Sequence, residues 1–139
     1  MKPRRNICVL AGVPVAAIAQ EAAALGASEG ALTVYIMRNN WTDPTELTKL
    51  RAPGGVLVQT LPRTFVRLRL PPGQNELSVD WRSGSAKTVV TGAAGEVQYL
   101  QLTGWAFWTW RDYSLLKIDR AKALELSRDA KFVADVQGR

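Results

Sequence analysis

Glu76 and Asp80 are the first carboxylates to weigh as an acid and base pair, since both fall on one side of the alternating segment Asn75 to Trp81. Four strand residues set them about 13 Å apart. Glycosidase carboxylates stand roughly 5 to 9.5 Å apart, so this pair misses the window. The chain contains no histidine, and its one cysteine is Cys8. A Ser-His-Asp triad, a Cys-His pair and any histidine or multi-thiolate metal centre are therefore excluded. Carboxylate, lysine, tyrosine or arginine mechanisms remain, and no neighbouring group suggests a tuned carboxyl. The expectation is a protein that is not an enzyme, with no catalytic residues, no cofactor and no metal site.

Residues suited to binding are concentrated in two places. The run Gly104-Trp105-Ala106-Phe107-Trp108-Thr109-Trp110-Arg111-Asp112-Tyr113 holds three of the five tryptophans. Read as one strand, it puts Trp105, Phe107 and Tyr113 on one face and Trp108 and Trp110 on the other. A sandwich strand buries one face. The second aromatic set then requires a cover: the C-terminal helix, a partner, a ligand or a lipid headgroup region. Aromatics dominate cores, so burial beneath the helix is the expectation. Left uncovered, Trp105, Phe107, Trp108 and Trp110 become the candidate ligand or partner contact, because contiguous exposed apolar surface marks an interaction site. The second place is Arg63, Arg67 and Arg69, which share one strand face, where residues two apart sit about 7 Å from each other. This candidate basic surface reads as a solvated face that resists edge pairing. It would suit an acidic glycan, an anionic lipid or an acidic protein.

Short strands must position these groups. Ala31 to Arg38 alternates, with Leu32, Val34 and Ile36 on one side and Thr33, Tyr35 and Met37 on the other. Asp43, Pro44 and Glu46 read as the cap, first residue and dipole partner of a short helix that Pro53-Gly54-Gly55 breaks. Val56 to Thr60 is a brief strand. Arg63 to Leu70 and Asn75 to Trp81 flank Pro71-Pro72-Gly73-Gln74, which predicts a type II turn and a hairpin. Lys87 to Thr91, Glu96 to Thr103 and Tyr113 to Ile118 complete the set. Asp119 then caps a helix to about Val133 along the stripe Ala123, Leu126, Ala130, Val133. The expected fold is mainly β: an antiparallel β-sandwich of about seven strands with a C-terminal α-helix.

Three of these segments, with a short helix after the final strand, resemble a family of small exported bacterial proteins catalogued as domain of unknown function 2846. They are Val34-Tyr35-Ile36-Met37-Arg38, the stretch Val66 to Val79 with its Pro71-Pro72-Gly73-Gln74 centre, and Gly95-Glu96-Val97-Gln98-Tyr99-Leu100. The likeness spans roughly Ala31 to Lys131. It implies a signal sequence followed by one immunoglobulin-like or transthyretin-like sandwich, and it brings no catalytic residues.

The N-terminus agrees with export. Lys2, Arg4 and Arg5 precede an uncharged stretch from Ile7 to Ala19 that ends in Ala17-Ile18-Ala19. Positive, apolar and then small residues make the pattern of a secretory signal peptide. The stretch is too short to span a bilayer, which takes roughly 20 residues. Cys8 lies at its start, where lipoprotein processing would need a cysteine at its end. Signal cleavage is expected between Ala19 and Gln20, with Ala24 or Ala27 as alternative sites. The expected organisation is a signal peptide at 1–19, a linker at 20–30, the sandwich and helix at 31–134 and a tail at 135–139. Three of the 18 Lys and Arg residues and none of the 12 acids lie in the leader, so its removal lowers the net charge from +6 to +3. That balance does not call for nucleic acid as a partner. The expected protein is periplasmic or secreted, has no transmembrane span after signal removal, and serves a binding or structural role toward an envelope protein or glycan. The alternative is a carbohydrate-binding module that uses stacked tryptophans. Neither the ligand nor the oligomeric state is set by the sequence.

Overall fold

Alternating apolar side chains assemble into two stacked sheets in the computed structural model, which describes residues 25–40, 42–44 and 46–137. The leader at 1–19, the Ala19–Gln20 junction and Trp41 lie outside the described residues. The strands are β1 (Leu32–Arg38), β2 (Thr48–Ala52), β3 (Val56–Thr60), β4 (Thr64–Leu70), β5 (Gly73–Trp81), β6 (Gly84–Gly92), β7 (Val97–Phe107), β8 (Trp110–Ile118) and β9 (Lys131–Gln137). Among the described residues one α-helix, α1 (Arg120–Ser127), precedes β9, and Pro53–Gly55 form a short 3-10 turn before β3. β8-β7-β1-β4-β9 form one sheet and β3-β2-β5-β6 the other.

The sandwich is mainly β, as its alternation implies, but it has nine described strands instead of seven and is not wholly antiparallel. β1 runs parallel to β7, and β4 runs parallel to β9. The expected hairpin around Pro71-Pro72-Gly73 is absent. β4 pairs with β1 and β9, β5 pairs with β2 and β6, and the proline-rich link carries the chain from one sheet to the other. Gly73 has φ +113°, so glycine is still required there.

Two cores result. Leu32, Val34 and Ile36 of β1 face Leu50, Leu77, Val79 and Val90 of the other sheet. The opposite face of β1, with Tyr35 and Met37, packs with Phe65, Tyr99 and the α1 residues Ala123 and Leu126. β1 is thus buried on both faces. Leu25 is buried in this second core, while Tyr99 donates to the Leu25 carbonyl and Tyr35 to that of Gly26. That part of the expected linker is therefore packed structure.

The region around Asp43 is also different from its expected form. No helix is described between Thr42 and Leu47, and Asp43 turns inward to pair with Arg38 instead of capping one. β2 follows, with the half-buried alternation of Thr48, Leu50 and Ala52 inward and Lys49 and Arg51 outward. Asp119 does cap α1, accepting from the Lys122 amide at 2.8 Å. The helix stops at Ser127, however, and the segment expected to continue it to Val133 begins β9. Asp135 to Gln137, assigned to a tail, belong to that strand. Among the described residues no helix is long and apolar enough to cross a membrane.

Candidate functional site

β7 continues beyond its neighbour β1. The last paired residues of the two are Met37 and Gln101, and from there β7 has β8 alone as a strand partner. Leu102, Gly104 and Tyr113 are still buried, but Trp105 through Trp110 are exposed without interruption. The aromatic segment is therefore a hairpin that folds back at Trp108-Thr109, with Phe107 opposite Trp110. It is not the single strand expected from sequence.

That geometry changes which aromatics meet. Trp105, Phe107 and Trp110 come to one face of the ribbon, since Trp110 sits diagonally from Trp105 and directly across from Phe107. The Trp105 and Trp110 rings are 5.7 Å apart at 59°, and the Phe107 and Trp108 rings are 6.1 Å apart at 80°. Their exposures are 43% for Trp105, 60% for Phe107, 85% for Trp108 and 62% for Trp110. The expected burial under the C-terminal helix does not occur, because α1 covers Tyr35, Phe65 and Tyr99 instead.

The backbone at the tip is strained. Trp108 has φ +58°, which is uncommon for any residue with a Cβ and a marked outlier for a bulky one. A positive φ at the first residue of a two-residue hairpin loop is the place where type II′ turns take glycine. The base of the ribbon is rigid by contrast. The Tyr113 ring lies across Gly104 so closely that an added Cβ would sit 2.5 Å from Tyr113 Cε1. Thr42 Oγ1 donates to the Gly104 carbonyl at 2.7 Å. Trp81 Nε1 donates to the Arg111 carbonyl at 3.2 Å, which ties the other sheet to the ribbon. Arg111 Nη1 in turn donates to the carbonyls of Trp108 and Trp110, at 3.1 and 3.4 Å.

The row of arginines does not form the expected basic surface. Arg63 is exposed, but Arg67 and Arg69 are buried on the outer face of the five-stranded sheet. Asp135 of the adjacent strand β9 explains this burial. It accepts from Arg67 Nε at 2.9 Å and Nη2 at 2.8 Å, and from Arg69 Nε at 3.2 Å. Burying a guanidinium requires such a partner. Asp135 falls in the segment expected to be a tail, and the alternation of Ala134 and Val136 with Asp135 and Gln137 is too short a signal to mark the strand, since a bulge between Phe132 and Ala134 interrupts the pattern.

Glu76 and Asp80 remain on the outer face of β5, where Asp80 is ion-paired with Arg51. Among the described residues no group of three histidine, cysteine, aspartate or glutamate side chains could hold a metal ion. Burial pushes the Tyr35 phenol up to about 12 and also raises those of Tyr99 and Tyr113. Glu96 is held below the usual carboxylate range by the Ala93 amide and then by the Gln98 side chain. These shifts follow from burial and from hydrogen bonds within the fold. No family model matches the chain, and no curated protein matches it.

Proposed function

We propose that this chain is a non-enzymatic, exported envelope protein whose β-sandwich binds through the aromatic tip of the β7–β8 ribbon. The observation that carries this reading is Trp108: a tryptophan 85% exposed at a positive-φ turn position. A bulky apolar residue held in a strained and solvated place has no folding advantage, and such strain clusters at binding sites. Trp105, Phe107 and Trp110 beside it extend the apolar surface. The resemblance to the exported family of domain of unknown function 2846, with its immunoglobulin-like or transthyretin-like sandwich, belongs to the same proposal, as does a periplasmic or secreted location.

The alternative is a carbohydrate-binding module. Ring tilts of 59° and 80° weigh against it, because a flat stacking platform for successive sugars needs nearly coplanar rings. Trp108 alone remains open enough to stack on one sugar face.

Tryptophan fluorescence of wild type and Trp108→Ala, titrated with envelope extract and with cell-wall sugars, separates the two. A shift with extract that is lost in the variant is expected. A sugar-specific shift lost in the variant would favour the module, and an unchanged response in the variant would remove the tip from binding. Export is tested by mass spectrometry of native material, where a mature N-terminus at Gln20 is expected. Cleavage after Ala27 would discard the buried Leu25.

A further inference from the structure

The geometry points to an anionic lipid surface as the partner of the aromatic tip, an inference that rests on the binding role proposed above. Its basis is what surrounds the tip at one end of the sandwich. Arg63 lies at that end, its amide donating to the Arg38 carbonyl at 2.6 Å and its own carbonyl accepting from Lys131 at 2.9 Å. The β5–β6 turn at Arg82 is there too, since the adjacent Trp81 bonds to Arg111. Arg128 lies just before β9 enters the same edge. Arg63, Arg82, Arg128 and Lys131 are all exposed, and none is ion-paired among the described residues. Against them stand the exposed Asp129, the exposed Glu125, which is paired with Lys122, and the half-buried Asp112 and Glu46. The end that carries the tip is therefore net positive.

The apolar surface also gathers there. Leu47 and Leu61 are exposed one residue beyond Thr48 and Thr60, whose side chains meet Arg38 at the mouth of the sandwich. The tip stands clear of both. Trp105 to Phe107 adds three strand residues past the last buried position of β7, about 10 Å of reach. Apolar groups that lie in a bilayer interface sink about 5 to 10 Å into the boundary between headgroups and chains. A tip inserted that far brings the cationic rim down to the phosphates, within a Debye length of their charge.

The chemistry of the tip fits such a layer. Tryptophan favours the headgroup level, where its ring is in apolar surroundings and its N–H is wet. The indole N–H groups of Trp105, Trp108 and Trp110 have no hydrogen-bond partner among the described residues, while that of Trp81 does. The tilted rings make a rounded knob suited to a deformable layer. Arg111, held against the tip carbonyls, fixes a cation at the base of that knob.

The test is flotation of the full chain with phosphatidylcholine vesicles, with and without phosphatidylglycerol, some carrying brominated acyl chains. Binding to the anionic vesicles and quenching of tryptophan by bromine are expected. The leader contains no tryptophan, so it cannot produce that quenching. Trp108→Ala with Trp110→Ala is expected to weaken partitioning by roughly tenfold per indole. Arg82→Glu with Lys131→Glu is expected to weaken it about fivefold per charge and to flatten its salt dependence. All four positions are exposed, and an unchanged urea midpoint shows that the variants are folded. Absent quenching, or equal binding by the tryptophan variant, overturns the lipid inference. If envelope retention then still depends on Trp108 and Trp110, only the lipid partner falls and the tip remains a contact for another. If retention is also indifferent to the tip, both readings fall.

Discussion

Asp43 grips Arg38 with both carboxylate oxygens, accepting from Nε at 2.7 Å and from Nη2 at 2.9 Å. The pair is sealed between the two sheets, where the guanidinium also donates to Thr48 Oγ1, the Thr60 and Glu46 carbonyls and the Tyr113 hydroxyl. A buried ion pair adds little net stability, but removing one partner leaves an uncompensated charge. Asp43→Ala should therefore lower unfolding free energy by about 3 to 5 kcal/mol, measured by urea denaturation. A loss below about 1 kcal/mol would mean that water reaches Arg38 and that this end of the sandwich is open.

Gly104 lies beneath the Tyr113 ring. An added Cβ would meet Tyr113 at 2.5 Å and Pro44 Cδ at 3.0 Å, and neither can retreat freely: the tyrosine is buried and the proline is rigid. Gly104→Ala should cost about 1 to 3 kcal/mol through overpacking and broaden the signals of Tyr113 and Trp81. Stability equal to wild type would show that the ribbon is not clamped at its base.

The tip behaves in the opposite way. Trp108→Gly relieves a positive φ, so stability should hold or rise by up to about 1 kcal/mol while the binding response disappears. A fall of more than about 1 kcal/mol would identify the indole as a structural element and remove the main support for the binding site.

Alkali should unfold the protein through its tyrosines. The folded state holds the Tyr35 proton to about pH 12, against 10.0 for the ordinary phenol. The unfolded chain releases it earlier, so stability is full below pH 10 and falls between pH 10 and 12. Tyr99 and Tyr113 act in the same direction. Tyr35→Phe should flatten this decline, at the cost of about 1 kcal/mol at neutral pH for the lost hydrogen bond to Gly26. A decline just as steep in the variant would assign the effect to other groups.

Local periodicity made β1, β3, β4 and β5 legible, and in β1, β4 and β5 also which side chains share a face. It did not reveal partners. A proline–glycine link between two alternating strands has the same local pattern whether the strands pair or separate into different sheets, and here they separate. β2 was hidden because Asp43-Pro44 satisfies the helix-start pattern, while the carboxylate was needed by Arg38. β9 was hidden because Ala123, Leu126, Ala130 and Val133 keep a helical spacing across the turn after Ser127. Arg67 and Arg69 looked solvated because their burial depends on Asp135, far away in sequence. The aromatic segment stands out in the sequence as a candidate contact. Its exposure was not legible, since it depends on how far β7 outruns β1.

The two parallel joins have a consequence for how the chain is made. β1 lacks one neighbour until β7 has been synthesised, and β4 lacks one until β9 follows. Closing such distant pairings is slow, so the nascent polypeptide stays a loose thread until its late segments appear. For the exported protein proposed above, that delay leaves an interval in which an unfolded strand can be drawn through a narrow channel before the sheet locks.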